Sequence, residues 1–231
     1  MHNPLKTVLE IVYPLHCGGC GIHGNILCKG CTDTFRVIEE ASTCPLCGRW
    51  TGKSIICGEC MQEKRGFQQG YYGFYFETKL RDAMHAFKFN GRKDVGRHLV
   101  SLVKGTILSF AEGFDCIIPV PVTEKRLRER GFNQSFIIGE EISRITNKAM
   151  YHAVLQKTRD TKDQFTLSRD ERKKNIKGAF TIRDRKAIKG KRILLVDDLF
   201  TTGYTAQEAS RVLLGAKAKT IIFFALARTP S

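Results

Sequence analysis

The sequence predicts an α/β fold, with a largely parallel sheet covered by helices and preceded by a small cysteine-rich domain. Three observations carry this expectation. Eight of the nine cysteines form four CxxC pairs between Cys17 and Cys60. Beyond residue 66, short apolar runs alternate with helical patterns, as in a sheet with helices on both faces. Residues Ile193 to Thr205 read ILLVDDLFTTGYT, a buried strand that runs through an acidic pair into a small-residue turn and a helix. A length of 231 residues suits one large and one small domain, split at 1–66 and 67–231. No run of about 18 apolar residues occurs, so no membrane insertion is expected.

The elements follow in order. Asn3 can cap an N-terminal amphipathic helix, with Pro4 at its first position and Leu5, Val8, Leu9 and Val12 on one face. Lys6 and Glu10 interrupt any apolar signal-peptide core, so the cytoplasm is the expected location. Gln69 to Phe76 is β-like and aromatic, and Thr78 can cap a helix through Leu80, Met84 and Phe87. A second helix is expected over Val95 to Phe110, then a strand over Cys116 to Val120, a basic loop and a helix over Gln134 to Ile145. A strand near Ala153 to Gln156 precedes a long polar segment, Lys157 to Phe180, that opens into a helix at Ser168. Ser168 with Glu171 makes a capping box there. The ILLV strand, its helix and a last strand over Thr220 to Leu226 complete the sheet.

The pairs Cys17/Cys20, Cys28/Cys31, Cys44/Cys47 and Cys57/Cys60 each present two thiolates to one tetrahedral ion. Four such knuckles hold two structural Zn²⁺. Sequential pairing is the simplest arrangement, and the spacing alone also permits others. Four thiolates leave no open position on the ion, which excludes a catalytic metal here. Cys116 falls in a strand and reads as a small buried hydrophobe.

A strand, a small-residue turn and a helix start together cradle an anion, because free N–H groups and the helix dipole converge on it. The carboxylates of Asp197 and Asp198 suit hydroxyls, or Mg²⁺ held through water. A sugar phosphate satisfies both devices. ILLVDDLFTTGYT resembles the phosphoribosyl diphosphate (PRPP) motif of type I phosphoribosyltransferases. That resemblance implies that Thr201, Thr202, Gly203, Tyr204 and Thr205 hold a ribose 5-phosphate, while Asp197 and Asp198 hold the ribose hydroxyls. Tyr204 stands where that family usually has a smaller residue.

Charge is unevenly spread. Residues 1–66 hold 7 Lys/Arg against 6 Asp/Glu, and residues 67–231 hold 31 against 17, a net of +14. Such an excess points to a polyanionic partner, with nucleic acid foremost. The cations concentrate in Ile117 to Ser135, IIPVPVTEKRLRERGFNQS, and in Lys157 to Phe180, KTRDTKDQFTLSRDERKKNIKGAF. Candidate nucleic-acid contacts are Lys125, Arg126, Arg128, Arg130, Arg169, Arg172, Lys173 and Lys174, with Tyr71, Tyr72, Phe74 and Phe132 as rings for base stacking.

The zinc knuckles, KFNGRKD at Lys88 to Asp94, the VPV-to-RGFNQS block, the QFTL and RKKN stretches and VDDLFTTGYT together resemble the ComF family of competence proteins. The resemblance covers nearly the whole chain. It implies a double zinc ribbon joined to a type I phosphoribosyltransferase domain, in a cytosolic, PRPP-binding protein that handles incoming single-stranded DNA in natural transformation. Mg²⁺ would accompany PRPP, and proteins of the DNA-uptake machinery are further expected partners. If the domain transfers a phosphoribosyl group, Asp197 and Asp198 orient the sugar and Arg128, Arg130 and Lys157 stabilise pyrophosphate. The segment from Lys162 to Arg169 would be a lid that excludes water. The other expectation is a non-catalytic module that binds single-stranded DNA and uses PRPP as an allosteric ligand.

Overall fold

A computed structural model describes residues 15–63, 65–160 and 169–230. The expected N-terminal helix and the segment from Lys162 to Ser168, with its capping Ser168, lie outside the described residues. No helix among the described residues is long and apolar enough to cross a membrane.

Both ribbons use one plan. A first knuckle closes a short hairpin, bridged at His16 to His23 in one ribbon and at Thr43 to Trp50 in the other. The second knuckle opens a short helix, α1 (Lys29–Thr32) after Cys28 and α2 (Gly58–Gln62) after Cys57. This brings Cys17, Cys20, Cys28 and Cys31 together, and separately Cys44, Cys47, Cys57 and Cys60, with all sulfurs of a set within 4.8 Å of one another. Cys20 and Cys28 sulfurs are 3.6 Å apart, as are those of Cys47 and Cys57. A tetrahedron with Zn–S bonds of about 2.3 Å has edges of about 3.8 Å, so both sets fit zinc, and the pairing is sequential. Backbone N–H groups of Gly19 and Cys28 donate to the Cys17 sulfur, and that of Cys57 to the Cys44 sulfur, which stabilises thiolate. The second set is wholly buried, whereas in the first Cys20 is exposed and Cys28 half-buried.

The large sheet has five parallel strands in the order β1-β7-β6-β2-β3: β1 (Gln69–Tyr75), β7 (Thr220–Arg228), β6 (Arg192–Phe200), β2 (Cys116–Pro119) and β3 (Ala149–Met150). Its central strands are apolar on both sides, with Ile193 to Val196 at 0% exposure, because helices cover both faces. The helices of this region are α3 (Thr78–Phe89), α4 (Lys93–Leu102), α5 (Lys104–Ser109), α6 (Glu124–Arg130), α7 (Gln134–Thr146), α8 (Arg169–Ile176) and α9 (Tyr204–Gly215). A small antiparallel pair, β4 (Leu155–Lys157) and β5 (Phe180–Ile182), forms a second sheet.

Several expectations need correction. The strand carrying the acidic pair does not stop there; it stays paired with β7 through Phe200, opposite Arg228. The helix expected over 95–110 is two helices parted at Val103, whose ψ of 20° breaks the α pattern. Thr78 is no N-cap: it has φ 49° and follows the cap residue Glu77. The basic loop after β2 is helix α6, capped by the Thr123 side chain and ended by Gly131 at φ 75°. Tyr71, Tyr72, Phe74 and Phe132 are core residues, at most 9% exposed, and so are unavailable for stacking on a strand of DNA. Apolar cross-sheet packing claimed these rings.

The ribbons share their cores with the sheet. Cys17, Leu27, Cys31 and Phe35 pack with Phe74, Leu80, Phe87 and Val95. The second cysteine set packs with Tyr72, Phe200, Tyr204 and Phe223 on the other side. Between the ribbons, Val37 bridges Phe74 antiparallel, with Ile38 N–H donating to Gly73 O and Tyr75 N–H to Arg36 O. Tyr72 donates its hydroxyl to Leu46 O at 2.6 Å, and Gly48 sits where a Cβ would come within 2.5 Å of the Tyr72 ring.

This packing predicts how metal supports the fold. Elemental analysis should find two zinc ions per chain. Cys44→Ser should lower the urea midpoint of the sheet itself, since structural zinc supplies folding energy of several kcal/mol or more. A midpoint that stays put, followed by far-UV circular dichroism, would count against the shared core.

Candidate functional site

The site lies at the C-terminal end of β6, beyond which ligands sit in parallel sheets. Asp197 and Asp198 are adjacent and half-buried there. Two carboxylates this close repel, and burial denies them water, so each is answered by a donor. Ser135 Oγ and the Asp198 N–H both donate to Asp197 Oδ1 at 2.9 Å. Lys88 Nζ is 2.8 Å from Asp198 Oδ2, with both side chains mostly buried. Burial, followed by the neighbouring Asp198 carboxylate, still pushes Asp197 up to about 7.

The RGFNQS block is the scaffold for these donors. Gly131 takes the left-handed turn that ends α6. Phe132 packs against Phe87 with centroids 5.7 Å apart. Asn133 caps α7, accepting from the Ser135 N–H, while its amide donates to Val120 O at 3.0 Å. Gln134, 1% exposed, donates to Lys88 O at 3.3 Å and accepts from Arg130 at 3.3 Å. Ser135 is thereby fixed under Asp197, and Lys88 beside Asp198. Gly96 of α4 keeps α3 close, because a Cβ there would lie 2.3 Å from the Phe87 ring, one residue from Lys88.

Cations stand across from the acids. Lys157 ends β4 half-buried, and burial, then the Arg126 charge, lower its ammonium to about 8, although Asp197 and Asp160 pull the other way. Arg130 adds to the positive field at Lys157. Asp160 accepts from the Thr123 hydroxyl, which ties the strand exit to the start of α6. Helix periodicity divides the cations of α6: Arg126 and Arg130, four apart, are half-buried toward Lys157, while Lys125 and Arg128 are exposed. Arg128 Nη1 lies 3.6 Å from Glu124, away from the acids. Phe89, 57% exposed beside Lys88, has the Arg130 guanidinium 5.2 Å over its ring.

The turn after β6 is the expected anion cradle. Gly203 has φ 81° and caps α9, so the first amides of the helix point out of its N-terminal end. Asp197, Thr201, Gly203 and Thr205 line one narrow cavity. The Tyr204 ring turns away, 4% exposed, and its hydroxyl donates to Glu63 Oε1 at 3.1 Å. That orientation accommodates a large residue in the motif.

The structure therefore brings together Asp197, Asp198, Lys157 and Arg130 with the turn Thr201 to Thr205. It leaves Lys125 and Arg128 on the surface and puts Arg169, Arg172, Lys173 and Lys174 along α8. Lys88, Gln134, Ser135 and Asp160 escaped residue-level reading. KFNGRKD and RGFNQS were visible as motifs, but only the fold sets them beside the acids.

Two family models match: a double zinc ribbon domain at residues 8–61 and a phosphoribosyl transferase domain at residues 134–231. The DNA utilization protein YhgH of Shigella flexneri is 31% identical, covering 94% of this chain and 94% of that protein. Competence protein F of Haemophilus influenzae is 26% identical, covering 93% and 96%. Competence protein ComFC of Bacillus subtilis is 26% identical, covering 88% and 84%. With both domain models in the expected order and relatives matched over nearly their full length, this chain belongs to the ComF family.

Proposed function

We propose that this protein binds PRPP and acts on single-stranded DNA in the cytoplasm during natural transformation, as a phosphoribosyltransferase. The observation that carries the reading is the meeting, at one strand end, of a buffered acid pair, an anion-cradling turn and a cationic wall. The 5-phosphate takes the amides of Thr201 to Thr205, and the ribose hydroxyls take Asp197 and Asp198. Pyrophosphate takes Lys157, Arg126 and Arg130. Mg²⁺ prefers oxygen ligands and a few carboxylates. Asp197 Oδ2 and Asp198 Oδ1 are the oxygens not engaged by Ser135 and Lys88, so the donor set suits an ion carried in with the diphosphate. Bound there, Mg²⁺ would neutralise charge on the leaving group. The DNA-utilization and competence names of the relatives support the biological setting.

Phe89 favours a second reading, a binding module for which PRPP is an allosteric ligand. An exposed ring under a guanidinium is a stacking platform for a base of a single strand. Release of pyrophosphate in the presence of single-stranded DNA separates an enzyme from a module.

Asp197→Ala combined with Asp198→Ala should weaken PRPP at least tenfold by calorimetry, because charge-assisted hydrogen bonds contribute about 1.5–3 kcal/mol each. Unchanged affinity would sink the sugar-binding role.

The raised Asp197 carboxyl has a sign that can be checked. Between its unfolded value, about 4, and its folded value of about 7, the folded chain holds a proton that the unfolded chain lacks. Its contribution to stability therefore falls as pH rises through that window and is lowest above it. In Mg²⁺-free protein, Asp197→Asn should raise the urea midpoint at pH 8 more than at pH 5. An equal shift at both pH values refutes the buried-charge account.

Lys125→Ala with Arg128→Ala should weaken single-stranded DNA, by fluorescence anisotropy, while leaving PRPP affinity in place. Each lost phosphate contact lowers the log–log salt slope by roughly 0.7. No detectable binding of the wild-type protein at about 50 mM salt would remove DNA from the reading.

A further inference from the structure

The segment leaving the second ribbon is built into the anion-cradling turn. Arg65, five residues after the zinc ligand Cys60, has a side chain only 2% exposed. Its Nη1 donates to Thr202 O at 2.8 Å, and its Nη2 is 3.3 Å from Glu63 Oε2. The guanidinium lies 5.9 Å over the Phe200 ring. Cys47 of the same metal site lines one pocket with Arg65, Phe200, Thr201 and Thr202, so ribbon and turn meet at this side chain. Glu63 in turn accepts from the Tyr204 hydroxyl at 3.1 Å. Gly203 completes the fit, since a Cβ there would lie 2.5 Å from Arg65 Nη1 and 2.6 Å from the Phe200 ring. One carboxylate and one carbonyl of the turn thus share a single buried cation beside the second metal site.

We infer that Arg65 is a positioning residue through which metal at Cys44, Cys47, Cys57 and Cys60 sets the conformation of the Thr201 to Thr205 turn. By anchoring the Thr202 carbonyl on the ribbon side, it leaves the turn's amides directed at the anion. When zinc leaves, the four ligands are no longer held together, and the segment that carries Glu63 and Arg65 loses its anchor. The Thr202 carbonyl anchor then weakens. Linkage is reciprocal, so an anion on the turn must also tighten the metal. The coupling to PRPP rests on the function proposed above; the structural link from Arg65 to the turn does not.

The experiment uses the full-length zinc protein and has two arms. In the first, a chromogenic chelator extracts zinc with and without saturating PRPP and Mg²⁺. At equilibrium with the chelator, one of the two ions should be held about fivefold more tightly with PRPP, the low end of usual coupling, and Arg65→Ala should abolish that protection. In the second, hydrogen exchange of the amides from Phe200 to Thr205 is followed without ligand. It should speed up in Arg65→Ala, and less in Tyr204→Phe, while β2 and α7 stay unchanged. Unchanged exchange at the turn, or an equal rise everywhere, overturns the inference. If Arg65→Ala does not fold, the Tyr204→Phe comparison decides alone. If the wild-type protein fails to bind PRPP, the proposed function falls while the exchange arm still decides this link. PRPP binding without protection of either zinc ion overturns the coupling.

Discussion

Two carboxylates side by side, two and three residues before the end of a largely buried strand, pose the problem that the rest of this molecule answers. Adjacent like charges in a poorly solvated place are costly, and the chain keeps them by surrounding them with donors from distant segments. Lys88 comes from the end of α3, Ser135 from the start of α7, and Lys157 from the end of β4. Each donor is fixed by something further out. Gln134 holds the Lys88 carbonyl, Asn133 holds both α7 and the β2 exit, and Gly96 lets α4 press against Phe87. The result is a pair that is tolerated but not relaxed, as the raised Asp197 carboxyl records. A ligand that brings hydroxyls or a divalent cation relieves what the protein alone cannot.

Local patterns made much of this legible. The CxxC spacing encodes two metal sites, and ILLVDDLFTTGYT encodes strand, acids, turn and helix within thirteen residues. What stayed hidden depended on long-range packing. An apolar run ended by two aspartates looks finished, but ladder bonds to β7 carry β6 on to Phe200. A stretch with four cations in six residues looks like a loop, yet a Thr cap and a Gly stop make it one short helix. Tyr71, Tyr72, Phe74 and Phe132 looked free to stack because single-sequence reading cannot tell an aromatic strand buried on both faces from an exposed one. Lys88 and Ser135 are ordinary residues in sequence, and only topology places them 2.8 and 2.9 Å from the acids.

The ribbons contribute as struts. The first leans on α3 and α4, where Arg92 donates to His16 O at 2.8 Å within the same stretch that carries Lys88. The second leans on β1, β6 and α9. The acid pair and the turn therefore each have a ribbon behind them. Their metal sites differ in burial, and solvent reaches Cys20 while it is kept from all four ligands of the second site.

The segment between the ribbons has a consequence for how this molecule can meet others. Arg36 to Ile38 already occupies the outer side of β1 through backbone hydrogen bonds. The opposite border of the sheet is β3, with two residues. Among the described residues, the large sheet has no long border of unpaired N–H and C=O groups on which a foreign strand could add. Among those residues, neither border gives a foreign strand a long ladder to join. At these borders a partner meets side chains and the loops above the sheet, where a sequence can change without disturbing its fold.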